Sequence, residues 1–216
     1  MTTRCGAHRA DANALPRRLC RPFAAALAAA AFLSFAVAVH AAWIPVKAQL
    51  AQWLIARSWD AGLAHGTAPP PWPWADTRPA ALLEAPAHEV RLFVLEGNSG
   101  RNLAFGPVFS DGTARGRDMV INGHRDTHFR FLKKLRPGDR IRVQRGATGS
   151  WYTVAQADVV DSRTHDLVID PGLDRLSLVT CFPFDTPSAG GPLRYVVTAL
   201  PGDDPGISPR RSPASG

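Results

Sequence analysis

Between about residue 88 and residue 201 the chain cannot run far in one conformation. Turn signals interrupt it every few residues: Gly97-Asn98, Asp111-Gly112, Pro137-Gly138, Gly146, Pro171-Gly172 and Gly190-Gly191. Between them lie short runs rich in β-branched and aromatic residues. The expected strands are Glu89–Leu95, Asn102–Phe109, Asp118–Asn122, Arg140–Arg145, Tyr152–Asp161, Arg175–Thr180 and Arg194–Leu200. One or two helical turns fit Thr127–Leu135, with Phe129, Leu132 and Phe131 facing inward. Seven strands and one short helix in so few residues point to a small β-barrel or sandwich. No repeat at a fixed period is visible.

The N-terminal third follows a different rule. Phe23 to Val39 is an apolar run broken only by Ser34, and Ala41-Ala42-Trp43-Ile44 extends it past His40. That length is near the minimum for crossing a bilayer. The formal net charge of the chain is +7, yet residues 1–22 alone hold five arginines against one aspartate. The excess charge is therefore mostly a basic flank before an apolar segment, which keeps that flank cytoplasmic and sends the rest across. With no basic stripe interleaved with aromatics, the composition argues against a nucleic-acid partner. We read the segment as an uncleaved signal anchor; cleavage after Ala41 is the alternative.

Lys47 to Trp59 has the period of an amphipathic helix, with Leu50, Trp53, Leu54 and Arg57 on one face. A proline-rich stretch from Pro69 to Pro86 follows and includes Pro-Pro-Pro-Trp-Pro-Trp at 69–74. It is expected to be stiff and extended, with its tryptophans lying against the domain. After Pro209 the composition is that of a disordered tail.

Of three cysteines, only Cys181 lies beyond the apolar segment; Cys5 and Cys20 belong to the flank. A lone thiol in an exported domain has no disulfide partner, and nucleophilic catalysis is the sharpest reason for it to be there. A cysteine attacks as thiolate and needs a nearby base, and acyl transfer needs a group to hold the oxyanion. His124 precedes Cys181 by 57 residues and Arg194 follows it by 13. All three adjoin expected strand ends, and strand ends can meet at one rim. A salt bridge from Arg194 to Asp126 or Asp185 is the structural alternative.

The order His, Cys, Arg resembles the sortase family. The resemblance rests on Asn122-Gly123-His124-Arg125-Asp126, Ser177-Leu178-Val179-Thr180-Cys181 and Pro192-Leu193-Arg194-Tyr195. The first position of the cysteine motif is Ser177, where the family usually has threonine. Leu103-Ala104-Phe105-Gly106-Pro107, the run from Gly123 to Phe129 and the Trp-Pro-Trp segment resemble the proteobacterial branch called class GN. The fold this implies is all-β: a closed barrel of about eight strands with one or two short helices, behind an N-terminal transmembrane helix. The implied activity is that of a membrane-anchored cysteine transpeptidase. Cys181 would attack an LPXTG-like C-terminal sorting motif of a partner protein, and the thioester would pass to an amine. His124 would move the protons, Arg194 would hold the oxyanion or the peptide, and Thr180 would shape the substrate subsite. The implied location is the inner membrane, with the catalytic domain outside the cytoplasm.

On this reading the chain divides into a basic flank (1–22), an anchor (23–44), a juxtamembrane helix (45–63), a Pro/Trp-rich linker (64–87), a catalytic domain (88–201) and a tail (202–216). No metal or other cofactor is called for. His124 and His128 have the i, i+4 spacing of a zinc site, but Arg125 stands where such sites carry their glutamate. An L,D-transpeptidase would carry an arginine two residues past its thiol; here Phe182-Pro183 follows Cys181. A non-catalytic tethered barrel is the remaining alternative.

Overall fold

A computed structural model describes residues 17–186 and 190–204, with the backbone alone for 17–24, 42, 44 and 45. The chain forms two compact units, Met1–Ala48 and Gln49–Gly216. The basic flank up to residue 16, with Cys5, lies outside the described residues, as does the tail from residue 205.

In the first unit runs the helix α1, which spans Arg17–His65 as a whole. Its side chains from Ala25 to Ala41 are all exposed. Among the described residues it is the one helix long and apolar enough to cross a membrane. The Lys47 ammonium sits 5.1 Å from the centre of the Trp43 ring.

In the second unit, the C-terminal turns of α1 bury Ala51, Ile55, Ser58 and Trp59, whereas Leu50 and Trp53, on the face that the periodicity marked as apolar, stay exposed. Gly62 admits Ala68 so closely that a Cβ there would lie 2.8 Å from the Ala68 Cβ. Ile55 packs with Leu95 and Val108, and Trp72, Phe93, Leu103 and Phe105 close around them. Gln52 Nε2 donates to the Phe105 carbonyl at 2.6 Å, and the Ser58 hydroxyl to that of Pro69. The Trp72 and Phe105 rings meet edge to face at 5.1 Å. The expectation that the linker tryptophans lie on the domain thus holds for Trp72, while Trp74 is exposed.

Eight strands follow: β1 (Pro79–Ala85), β2 (Val90–Leu95), β3 (Val108–Phe109), β4 (Asp118–Asn122), β5 (Arg140–Arg145), β6 (Thr148–Asp161), β7 (Arg175–Cys181) and β8 (Leu193–Gly202). They close into a barrel in the order β1-β2-β3-β4-β7-β8-β6-β5. Closure leaves no open sheet edge to pair with another chain. Pairs β2–β3 and β4–β7 are parallel; the rest are antiparallel.

Two expectations need correction. The barrel begins at Pro79, inside the segment read as linker. Pro79 starts β1 and Pro86 follows its end; between them Leu82 and Leu83 are buried. Proline is tolerated at a strand's first residue, so proline frequency hid a strand. The expected strand Asn102–Phe109 is instead a short helix, α2 (Gly100–Leu103), then two residues of β3. Ser99 caps α2 by accepting the Asn102 N–H at 3.2 Å. The helical turns expected over Thr127–Leu135 are present as a 3-10 helix, Arg130–Lys134, with Phe131 and Leu132 buried.

The barrel interior is one apolar cluster that includes Leu83, Val94, Ile121, Leu176, Leu178 and Val197. The strands β4, β7 and β8 bury their outer face too, where Val120, Val179 and Val196 pack with Val160. That outer valine patch leads to the site.

Candidate active site

The parallel pair β4–β7 keeps one offset of 57 residues from Asp118 opposite Arg175 to Asn122 opposite Val179. The contact continues past the ladder. The Gly123 N–H donates to the Val179 carbonyl at 3.1 Å, and the Thr180 hydroxyl donates to the Gly123 carbonyl at 2.7 Å. The same offset, carried one residue further, sets His124 level with Cys181. On the other side of β7, Cys181 is the register partner of Arg194 at the start of β8. Directly opposed residues of an antiparallel pair share a face, with Cβ atoms roughly 5 Å apart. Strand alternation puts both on the outer face of Val179 and Val196. The barrel therefore brings Cys181 and Arg194 together on β7 and β8, with His124 two residues past the end of β4, the neighbour on the other side of β7.

Packing sets the path of the histidine loop. A Cβ at Gly123 would meet the Phe129 ring at 2.7 Å, so only glycine fits. Phe129 is buried and its N–H donates to the His124 carbonyl at 2.9 Å. The loop is thus pulled down at Phe129 and leaves the His124 side chain exposed. Cys181 is a free, half-buried thiol. Thr180 is 3% exposed and its hydroxyl is held by Gly123.

Arg194 is half-buried, and its Nη1 donates to the carbonyls of Gly191 at 2.6 Å and Leu193 at 2.9 Å. Among the described residues no carboxylate pairs with it. The two suggested partners are engaged elsewhere: Asp126 with Arg125 at 3.0 Å and Asp185 with Lys133 at 3.1 Å. Backbone carbonyls steady the Arg194 guanidinium without neutralising its charge.

Arg125 is the site residue that sequence reasoning missed. It is 7% exposed. It grips Asp126 through Nε at 3.0 Å and Nη2 at 3.1 Å. It also donates to the carbonyls of Pro183 at 2.5 Å and Thr186 at 3.1 Å. One side chain therefore ties the loop after His124 to the loop after Cys181. The hydrogen bonds that Arg125 donates to Asp126 raise its guanidinium above the ordinary value, and the cation lies within electrostatic reach of Cys181. The Asp126 carboxyl is in turn held below the usual carboxylate range by Arg125. Burial lowers the His128 imidazole, and the charge of His124 lowers it further. The sequence signal for Arg125 was thin, because its burial depends on a loop 58 residues away folding over it.

Comparison with known proteins agrees with the barrel fold. A sortase-domain family model matches residues 83–201. The chain belongs to the sortase family. Sortase D of Bacillus subtilis (strain 168) is 27% identical over 125 residues, which is 55% of this chain and 61% of that relative. The chain thus spans less than two thirds of the curated relative it matches. Sortase A from Corynebacterium diphtheriae, solved as a lid mutant, superposes with a TM-score of 0.54 at 26% identity, covering 62% of this chain and 75% of that one. Sortase C-1 from Actinomyces oris gives 0.52 at 28% identity, covering 60% and 77%. Sortases as a family are cysteine transpeptidases acting on proteins that carry sorting signals. The matched region holds His124, Cys181 and Arg194 of this sortase, together with the Arg125 staple.

Proposed function

We propose that this sortase is a membrane-anchored transpeptidase of the class GN type, which cleaves an LPXTG-like C-terminal sorting motif of a partner protein. The observation that carries the reading is Cys181 opposite Arg194 in the β7–β8 register, with the loop that carries His124 fastened to β7 through Gly123, Val179 and Thr180. The class assignment is supported by the Leu103–Pro107 and Trp-Pro-Trp segments, which interlock through Trp72 and Phe105.

In the first half-reaction the Cys181 thiolate attacks the carbonyl carbon of the scissile Thr–Gly bond. Arg194 faces the oxyanion or the sorting peptide with a guanidinium charge that no carboxylate among the described residues neutralises. His124 gives a proton to the leaving amine as the C–N bond breaks, and a thioester remains. In the second half-reaction an amine attacks the thioester, His124 takes its proton, and the thiolate leaves. Arg125 is a positioning residue that keeps the two loops in register. Thr180 shapes the subsite by holding Gly123 against β7. Exposed Leu167, Val168 and Ile169, in the connection between β6 and β7, offer apolar surface for the motif. Residues 23–44 anchor the enzyme in the inner membrane, with residues 1–22 cytoplasmic and the barrel outside.

Incubating the protein with a peptide that carries the sorting motif tests this. Intact mass should gain the acyl fragment, and Cys181→Ala should abolish both the adduct and cleavage. Cleavage by that variant at the wild-type rate would remove the mechanism.

A further inference from the structure

A groove of about 600 Å³ opens beside the His124 loop, between the first half of β2 and residues 127–134. Arg91, Arg130, Lys133 and Lys134 line it, and Glu89 is its one carboxylate. Val90, Leu92 and Phe131 supply apolar wall. Among the described residues Arg130 and Lys134 have no ion-pair partner. Lys133 pairs only with Asp185, whose side chain is 83% exposed. Arg91 stands 3.7 Å from Glu84 with 59% of its own side chain exposed. Such exposed pairs leave most of the positive field intact.

The position of the groove is as informative as its charge. His124 follows β4. Around the barrel in one direction lie β7 and β8, with Cys181 and Arg194; in the other lie β3 and β2, with the groove. Arg130 and Lys133 also line a second hollow of about 250 Å³, shared with Arg125, Asp126, Phe184 and Asp185. The groove therefore adjoins the loop after Cys181 through Arg130 and Lys133, while the carboxylates of Asp126 and Asp185 lie on the far side of these two cations from the groove lining.

We propose that this groove receives the acyl acceptor, and that the acceptor is a peptide amine flanked by acidic residues. The proposal rests on the transpeptidase reading of His124 and Cys181. An amine without carboxylates would be a cation and would be repelled by this surface. Neighbouring carboxylates reverse the sign, anchor in the groove and leave the amine beside His124. The amine then attacks the thioester carbonyl, a C–N bond forms, the C–S bond breaks, and His124 receives the proton.

The test uses the full chain in neutral detergent and two peptides, Gly-Gly-Asp-Glu-Asp and Gly-Gly-Asn-Gln-Asn. Calorimetric titration at low salt should give about tenfold tighter binding for the acidic peptide, a preference that high salt erases. The double reversal Arg130→Glu/Lys134→Glu should erase it too, with binding of the neutral peptide unchanged. The milder Arg130→Gln/Lys134→Gln pair should weaken it in the same direction. Acyl-enzyme formation should proceed at the wild-type rate in both variants, while transfer to the acidic amine falls. Equal affinity for the two peptides, or a preference that survives charge reversal, overturns the proposal. So does binding to phosphatidylglycerol vesicles without peptide preference, which would give the surface to lipid. A wild-type chain that forms no acyl-enzyme defeats the transpeptidase reading instead, and the titration still reads the groove.

Discussion

The two ends of β7 each hold an arginine, and the two are used in opposite ways. At its first residue, Arg175 donates to both oxygens of Asp118, at 2.9 and 2.7 Å, and to the Val168 carbonyl at 2.9 Å. Asp118 is 1% exposed and also accepts the Asp170 N–H at 2.9 Å. Burial pushes the Asp118 carboxyl up, but the hydrogen bonds from Arg175 and Asp170 bring it below its ordinary value. At the last residue, Cys181 faces Arg194, whose bonds among the described residues go to backbone carbonyls alone. One end is a closed ion pair that fastens two strands and the preceding loop. The other keeps a fixed cation beside the Cys181 thiol. A permanent charge left without a counter-ion is a cost to the fold, and it makes sense where a ligand supplies the missing partner.

The largest effect should come from breaking the closed end. Asp118→Ala strands a largely buried guanidinium and should cost about 3–5 kcal/mol in urea denaturation. Well below the melting temperature, the acyl-enzyme rate per folded molecule should hold. If activity fell and stability did not, the contrast between the two ends would collapse. Arg194→Lys should do the reverse. Acylation should drop about a hundredfold, roughly 2.7 kcal/mol of transition-state stabilisation, while stability moves by less than about 0.5 kcal/mol. Near wild-type acylation would demote Arg194 to a loop brace.

Gly123→Ala sharpens the comparison by disturbing the His124 side alone. Its new methyl must push the Phe129 ring from 2.7 Å, which should cost about 1–3 kcal/mol. Acylation should weaken, because His124 follows immediately. The smallest effect concerns pH. Burial lowers the His128 imidazole in the folded state, so below its ordinary value of about 6.5 the unfolded chain binds more protons. That contribution is complete above about pH 6.5 and is lost as pH falls toward and through the folded value. His128→Gln should flatten the fall in unfolding free energy between pH 8 and pH 5 by less than about 1 kcal/mol, read from urea denaturation at each pH. An unchanged slope would mean that other groups carry it.

Much of the barrel was legible because strand signals are local. Asp118–Asn122 and Arg140–Arg145 stand where their β-branched runs are, between glycines that turn the chain. What failed was where two local signals conflict. Prolines on both sides of Ala80–Ala85 masked β1. Phe105 and Val108 promised a longer strand than Ser99 and Asn102 allow. Which face of α1 meets the strands was not legible, because Leu50 and Trp53 form the apolar stripe while Ile55 and Trp59, which pack against Leu95 and Phe93, lie off it.

The sequence alone singled out His124, Cys181 and Arg194 as candidates, through their order, their places at expected strand ends and the resemblance of the motifs around them to sortases. The lone thiol beyond the apolar run and the basic flank before it were likewise visible in composition and spacing. Only tertiary structure put β4 and β8 on either side of β7, because strand order in a closed barrel depends on which pairings bury the core together. The burial of Arg125 between two loops, the Asp118–Arg175 lock and the basic groove beside His124 have the same origin. Each joins residues far apart in the chain, and the free energy of such contacts exists only once the chain has closed on itself.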